Sequence, residues 1–323
     1  MVISSFATTL PVLYLGFGVL GGVGVGFIYG VPIATCVKWF PDKKGFISGL
    51  AVAGFGLGSI IFAPICTALI ASVGPSRTFL VQAIITIVGV AIGAPLMKAA
   101  PDGYVPEGWT PPAPKKGASA THDFKSGEMV KTMQYWFLLI MYLFINMSGL
   151  MVIGHASPIS QQIAGLTAVE AGAIVSVLAI ANTIGRFVGG ASSDKLGAQR
   201  VVTIIYIINT VLLISLRFMT SFSLIAVGIG GLAVCFGAMM GAYPSIVMDY
   251  FGPKHYGTNY ALIFLAYGIG GIIGPQIAVT SVANTGSYTM SFIILGVGCV
   301  IGAVMSIISK RPVYNEGTAR KVA

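Results

Sequence analysis

Charge is scarce in this sequence. Only 8% of its 323 residues are charged, against 56% hydrophobic, and mean hydropathy is +0.91. An ordinary globular domain is about one quarter charged, so a soluble fold is excluded. Acidic residues number nine and histidines three. His122, His155 and His255 fall in two loops and one helix end, too scattered for a metal centre. No H-E-x-x-H, G-x-S-x-G or Walker sequence is present, so hydrolytic chemistry and ATP-driven work have no support. No metal, cofactor or catalytic residue is expected, and the chain is read as a non-enzyme. The four cysteines, Cys36, Cys66, Cys235 and Cys299, lie in apolar runs and form no C-x-x-C pair, which argues for buried thiols. The net charge of +9 sits in short gaps between apolar runs, so no nucleic-acid partner is expected.

What is abundant is apolar length and glycine. A spanning helix needs about 20 mostly apolar residues. Nine segments qualify: 8–37, 46–72, 78–98, 132–156, 168–192, 200–219, 221–249, 256–282 and 288–309. The fold class is therefore an all-α membrane protein with the lipid bilayer as its solvent. The 43 glycines suit it, because small residues let helices approach closely in lipid. The longest polar stretch, 99–131, carries five prolines and reads as a flexible solvated linker. The expected domains are a partial first half (1–98), the linker (99–131), a six-helix second half (132–309) and a tail (310–323). Gaps on one side hold fifteen of the eighteen Lys and Arg residues; Arg77 and Arg217 lie opposite and Arg186 lies inside a helix. The positive-inside rule makes the basic side cytoplasmic, together with the linker and the C-terminus.

An internal repeat is visible. WFPDKKGFISGLAVAGFGLG (39–58) pairs with YFGPKHYGTNYALIFLAYGIG (250–270). Pro32, Gly45, Gly56 and Gly58 match Pro244, Gly257, Gly268 and Gly270 at an offset of 212. Parallel repeats of this sort build the two halves of many transporters. The second half has six helices. The first has three, matching the last three of the second. A twelve-helix protein that lacks its first three helices gives this count, so helices four to twelve are expected here.

GASSDKLGAQR (190–200) fits G-x-x-x-D-[RK]-x-G-x-x-[RK], with Gly190, Asp194, Lys195, Gly197 and Arg200 as its fixed positions. It resembles the cytoplasmic gate loop of the major facilitator superfamily. Asp194 can accept bonds from helix N-termini or from basic side chains across a gate. GVLGGVGVGFIYGVPIATCVKWFPDKKG (18–45), GFGLG (54–58) and SPISQQ (157–162) resemble the oxalate/formate antiporter family within it, which is related to monocarboxylate transporters. The resemblance implies a major-facilitator-type helical bundle, a small organic anion as substrate, a monomer, and a plasma (inner) membrane location.

Arg186 lies inside segment 168–192. A charge there costs roughly 2.5–3.5 kcal/mol on insertion scales and usually faces a cavity. No acidic residue lies well inside any segment, so a carboxylate substrate would neutralise it through the bidentate guanidinium fork. Snorkelling to the interface, or pairing with Asp194, is the competing reading. Asn182, one turn away, shares its face. In the resembled family the Arg of this Asn-x-x-x-Arg pattern binds carboxylate. That family's oxalate exchanger has lysine in a T-A-K-G run where this sequence has Leu265, Ala266, Tyr267 and Gly268. One cation with hydroxyl donors suits a monocarboxylate such as lactate, pyruvate or formate better than oxalate. Tyr267 is also open to a packing role. His155, at the expected end of 132–156, could titrate near physiological pH or hydrogen-bond substrate, or line the mouth with no role; Tyr29, Phe264 and Phe236 are candidates for an aromatic cavity wall, each also readable as packing. Exchange and proton symport both remain open.

Overall fold

The computed structural model describes residues 1–101, 104–106, 108 and 122–312, with backbone alone at 59, 60, 63, 64 and 67. The central part of the expected linker and the tail from 313 lie outside these. Among the described residues there is no strand. The long helices are α1 (Leu10–Trp39), α2 (Lys44–Val73), α3 (Pro75–Leu96), α4 (Met133–Ala164), α5 (Ala168–Leu196), α6 (Ala198–Phe218), α7 (Phe222–Phe251), α8 (Tyr256–Thr285) and α9 (Thr289–Ile308). Eight are long and apolar enough to cross a membrane. In α2, which is helical over all 30 residues, the described apolar stretch is the shorter Lys44–Gly58.

Helix ends follow local chemistry. The Thr167 hydroxyl accepts from Glu170 N–H, while the Glu170 carboxylate accepts from Thr167 N–H at 2.8 Å, a reciprocal cap on α5. Two expected boundaries are corrected. The helix expected to end at His155 continues to Ala164 with Pro158 inside it, and stops at Gly165, whose φ of +62° suits glycine. The polar run SPISQQ stays helical, and within it Ser160 returns its hydroxyl to the Ala156 carbonyl at 2.7 Å. The gate segment expected as a loop over 190–200 is helical through Leu196. Its turn is Gly197 alone, at φ +86°.

The expected repeat recurs in the helix bounds. Leu10 and Trp39 fall 212 residues before Phe222 and Phe251, and Lys44 and Val73 fall 212 before Tyr256 and Thr285. Pro32 and Pro244 occupy the same register within α1 and α7.

The second half packs around α7. A methyl group on Gly185 or Gly189 of α5 would fall 2.3 Å from the Val234 carbonyl oxygen or 2.0 Å from that of Ala238. Only glycine permits that backbone approach. On the other side of the bundle, Gly274 of α8 lies as closely against Met147 of α4. The end of the linker departs from the expected solvated chain. Phe124 N–H donates to the Phe251 carbonyl at 3.0 Å, Asn259 donates to the Phe124 carbonyl at 2.8 Å, and Ser126 donates to Asn259 Oδ1 at 2.9 Å. These bonds pin 122–129 onto the start of α8.

Candidate anion site and gate

The site begins with backbone notches. The Arg186 carbonyl oxygen lies 2.6 Å from where a Cβ on Gly49 of α2 would stand, and 2.2 Å from one on Gly241 of α7. The Asn182 carbonyl meets Gly237 in the same way at 2.0 Å. Glycines from two neighbouring helices thus fix the turn of α5 that carries both polar side chains.

Arg186 is half-buried. Its Nε donates to Asn182 Oδ1 at 2.9 Å, and its Nη1 donates to the Val52 carbonyl oxygen of α2 at 2.6 Å. It forms no ion pair among the described residues. The ion pairs there join Lys44 and Arg311 to Asp249, and His122 to Glu128. Pairing with Asp194 is therefore not the arrangement seen.

Aromatic rings gather beside the guanidinium. Tyr29 of α1 stacks on Phe264 of α8 at 4.8 Å and meets Phe55 of α2 edge-on at 4.8 Å. Phe264 stacks on Tyr267 at 5.0 Å. Tyr29, Tyr267 and Tyr142 of α4 lie within electrostatic reach of Arg186. The buried Tyr29 and Tyr260 hydroxyls neighbour one another, but neither meets hydrogen-bond geometry with a partner among the described residues. The arrangement is a cation with unused donors, walled by rings and phenolic hydroxyls. Such a cation can take up further hydrogen-bond acceptors.

Of the residues named from sequence, Arg186, Asn182, Tyr29, Phe264 and Tyr267 are brought together. His155 is not: its Nδ1 lies 3.2 Å from the Tyr288 hydroxyl, about 20 Å along α4 from Tyr142 at 1.5 Å per residue. Phe236 is 2% exposed and fills the α4–α7 interface against Gly149. Tyr142, Phe55, Tyr260 and the Val52 carbonyl escaped the sequence reading. Tyr260, Phe264 and Tyr267 fall at i, i+4 and i+7, a single helix stripe that was available as a signal.

Beyond Arg186, α2 and α5 run together as a seam. Asp194 Oδ1 accepts from Gly45 N–H at 2.8 Å and Oδ2 from Phe46 N–H at 2.7 Å, so its carboxylate sits on the first turn of α2. Gly45 and Gly190 touch backbone to backbone. The Ser48 hydroxyl donates to the Gly241 carbonyl at 3.1 Å, and Lys44 pairs with Asp249. Lys195 and Arg200 are exposed. No group of three or more metal-ligating side chains is found among the described residues.

Comparison with known proteins assigns the class. The family model for the Major Facilitator Superfamily matches residues 1–275. The chain belongs to that superfamily. Among its relatives, an Escherichia coli K12 protein named as an uncharacterized MFS-type transporter, YhjX, is 38% identical over 84% of this chain and 65% of its own length. The oxalate:formate antiporter of Oxalobacter formigenes is 29% identical, over 88% of this chain and 66% of its own. The chain thus spans about two thirds of the length of these curated relatives. A crystal structure of the Escherichia coli fucose:proton symporter shares the fold at a TM-score of 0.70 and 15% identity, covering 95% of this chain and 79% of that one.

Proposed function

We propose that this chain carries a small organic anion, a monocarboxylate before oxalate, across the membrane by alternating access. The observation that supports it most is Arg186, a guanidinium inside a spanning helix with neutral partners and no ion pair among the described residues. An anion entering from outside pairs with Arg186 and offsets its desolvation. Tyr267, where the oxalate exchanger has lysine, leaves one cation beside hydroxyl donors, which suits a single carboxylate. The kinship with the Oxalobacter antiporter supports the anion class. Whether the cycle runs as exchange or proton symport is a matter of what moves back. In this reading the plasma membrane is the location, the basic end is cytoplasmic, and the Asp194 seam is the cytoplasmic gate, closed here.

The test is uptake of radiolabelled lactate, pyruvate, formate and oxalate into proteoliposomes, each offered in turn. Arg186→Gln should abolish uptake while leaving insertion intact, and Arg186→Lys should weaken it by losing the bidentate fork. Uptake by Arg186→Gln at the unaltered rate would sink the anion site. Oxalate preferred over all three monocarboxylates would sink the reading of Tyr267.

The low burial of α1 and α3 favours a second reading, in which the site binds the anion but transport needs further spanning helices. Carboxylate binding without uptake is its signature.

A further inference from the structure

Arg186 holds together two things that are usually separate, the candidate substrate site and the seam between the halves. The seam runs antiparallel. Gly45 lies against Ser193, Gly190 and Asp194, Gly49 against Gly190 and Arg186, Val52 against the Arg186 side chain, and Gly56 against Thr183. Beyond it, a Cβ on Gly58 would meet nothing within 4 Å among the described residues. The Arg186–Val52 bond is thus among the innermost links, next to the aromatic cluster.

The guanidinium geometry makes substrate and seam compete. It has five N–H groups arranged as two forks, one of Nε with Nη2 and one of Nη1 with Nη2. Asn182 Oδ1 occupies Nε, so the first fork is half taken. The second is half taken too, because its Nη1 is held by the Val52 carbonyl at 2.6 Å; of the two neutral acceptors, only Val52 lies on another helix. The guanidinium already makes its bond to the carbonyl charge-assisted; a carboxylate adds an opposite charge and takes both N–H groups of the fork, which a single carbonyl oxygen does not. The carboxylate therefore wins the exchange.

We propose that the Val52 carbonyl is a stand-in acceptor for the substrate. It holds Arg186 when the site is empty, and a carboxylate that takes the Nη1/Nη2 fork breaks this link between α2 and α5. Loading then loosens the seam from its inner end, and the empty carrier rests with the Asp194 side closed. This rests on the anion reading above. It adds that binding and opening are one event, and that Asn182 positions the guanidinium by holding Nε from within α5.

A thiol at position 48 reports on the seam, since Ser48 is fully buried within it. Ser48→Cys would be introduced into the full chain after replacing Cys36, Cys66, Cys235 and Cys299 by serine, and alkylation by a permeant maleimide timed in proteoliposomes with and without lactate, pyruvate or formate. The expected result is slow labelling when empty and roughly tenfold faster labelling when loaded, the size of losing one charge-assisted bond. Arg186→Gln should label at the fast rate with or without carboxylate. Should that variant fail to fold, replacing the Val52–Ala53 amide by an ester weakens the carbonyl as acceptor. It should raise the empty rate and lower the carboxylate concentration for half response. Carboxylate uptake with unchanged labelling overturns the exchange of acceptors while leaving the anion site standing. Slow labelling of Arg186→Gln, with the protein folded, overturns it too. Fast labelling in both variants, with the otherwise unaltered Ser48→Cys protein unmoved by any carboxylate, overturns the exchange together with the anion reading.

Discussion

Helices α1 and α7 have the same length, the same register and a proline at the same position, yet their surroundings differ. The apolar window of α7 is 61% buried and that of α1 is 11%. The pair α9 and α3 repeats the contrast at 44% and 6%. The reason lies in the partner. On α7, Val234 and Ala238 receive Gly185 and Gly189 of α5. On α1, Gly18, Gly22, Gly26 and Gly30 stand at four-residue spacing, and a Cβ on any of them would meet nothing within 4 Å among the described residues. Helix formation is set locally by backbone bonding and apolar length, whereas burial depends on a second helix shaped to fit. In lipid an unfilled apolar face costs little, because acyl chains are as apolar as leucine.

Matched substitutions should expose this contrast. Gly189→Val puts side-chain carbon against the Ala238 backbone, which has no rotamer to escape into. It should cost about 3 kcal/mol, the upper range for overpacking, read as thermal unfolding in detergent. Gly26→Val should change the same midpoint by no more than about 0.5 kcal/mol, as for an unpacked surface position. Equal damage from both would mean that α1 is packed on that face, and the comparison would fail.

The seam between the halves is the next test. Gly45→Ala adds one methyl 2.2 Å from Ser193 Oγ and 2.4 Å from the Gly190 carbonyl. It should cost about 2 kcal/mol by the same overpacking argument and raise amide exchange in the first turns of α2. Asp194→Asn keeps an acceptor but loses the charge over the α2 N-terminus, worth about 0.3–1 kcal/mol. Lys195→Gln and Arg200→Gln, at exposed positions, should leave α2 exchange unchanged.

Much of this was readable in the sequence, for physical reasons that also mark where reading stopped. Apolar length located the helices, so the expected 221–249 and 256–282 fall within two or three residues of α7 and α8. Polarity misled at α4, because serine and glutamine can satisfy a helix as readily as leave it, and the terminator was Gly165. Composition misled at 122–131, where Asn259 supplies both a donor and an acceptor to the passing chain. At the site, a lone Arg in a spanning helix stands out against apolar neighbours, and Asn182 follows from helical spacing. Val52 could not be found, because its contribution is a backbone carbonyl and every residue has one.

The smallest expected effect tests whether the pinned linker end is part of the second half or merely rests on it. Glu128 Oε2 accepts from Lys125 N–H at 2.9 Å and lies 3.2 Å from His122 Nε2. The Lys125 backbone N–H, with help from His122, holds the Glu128 carboxyl below the usual carboxylate range. A carboxyl depressed in the folded state stabilises it above the unfolded pKa of about 4.5, and that contribution disappears as pH falls through the folded value. Because the group is largely exposed, the effect should be a few tenths of a kcal/mol at most. Protection of the Lys125 amide should therefore be full at pH 6 and drop as the solution is taken below about 4.5. Glu128→Gln retains an acceptor without the charge, so its protection should be lower at pH 6 and flat across that range. The Phe124 and Asn259 bonds carry no titrating group, so protection of Phe124 should hold in both proteins. If Phe124 loses protection together with Lys125, the Glu128 cap and the attachment to α8 form one cooperative unit. If Phe124 exchanges freely at every pH, the linker end is not pinned, and the second half begins at α4.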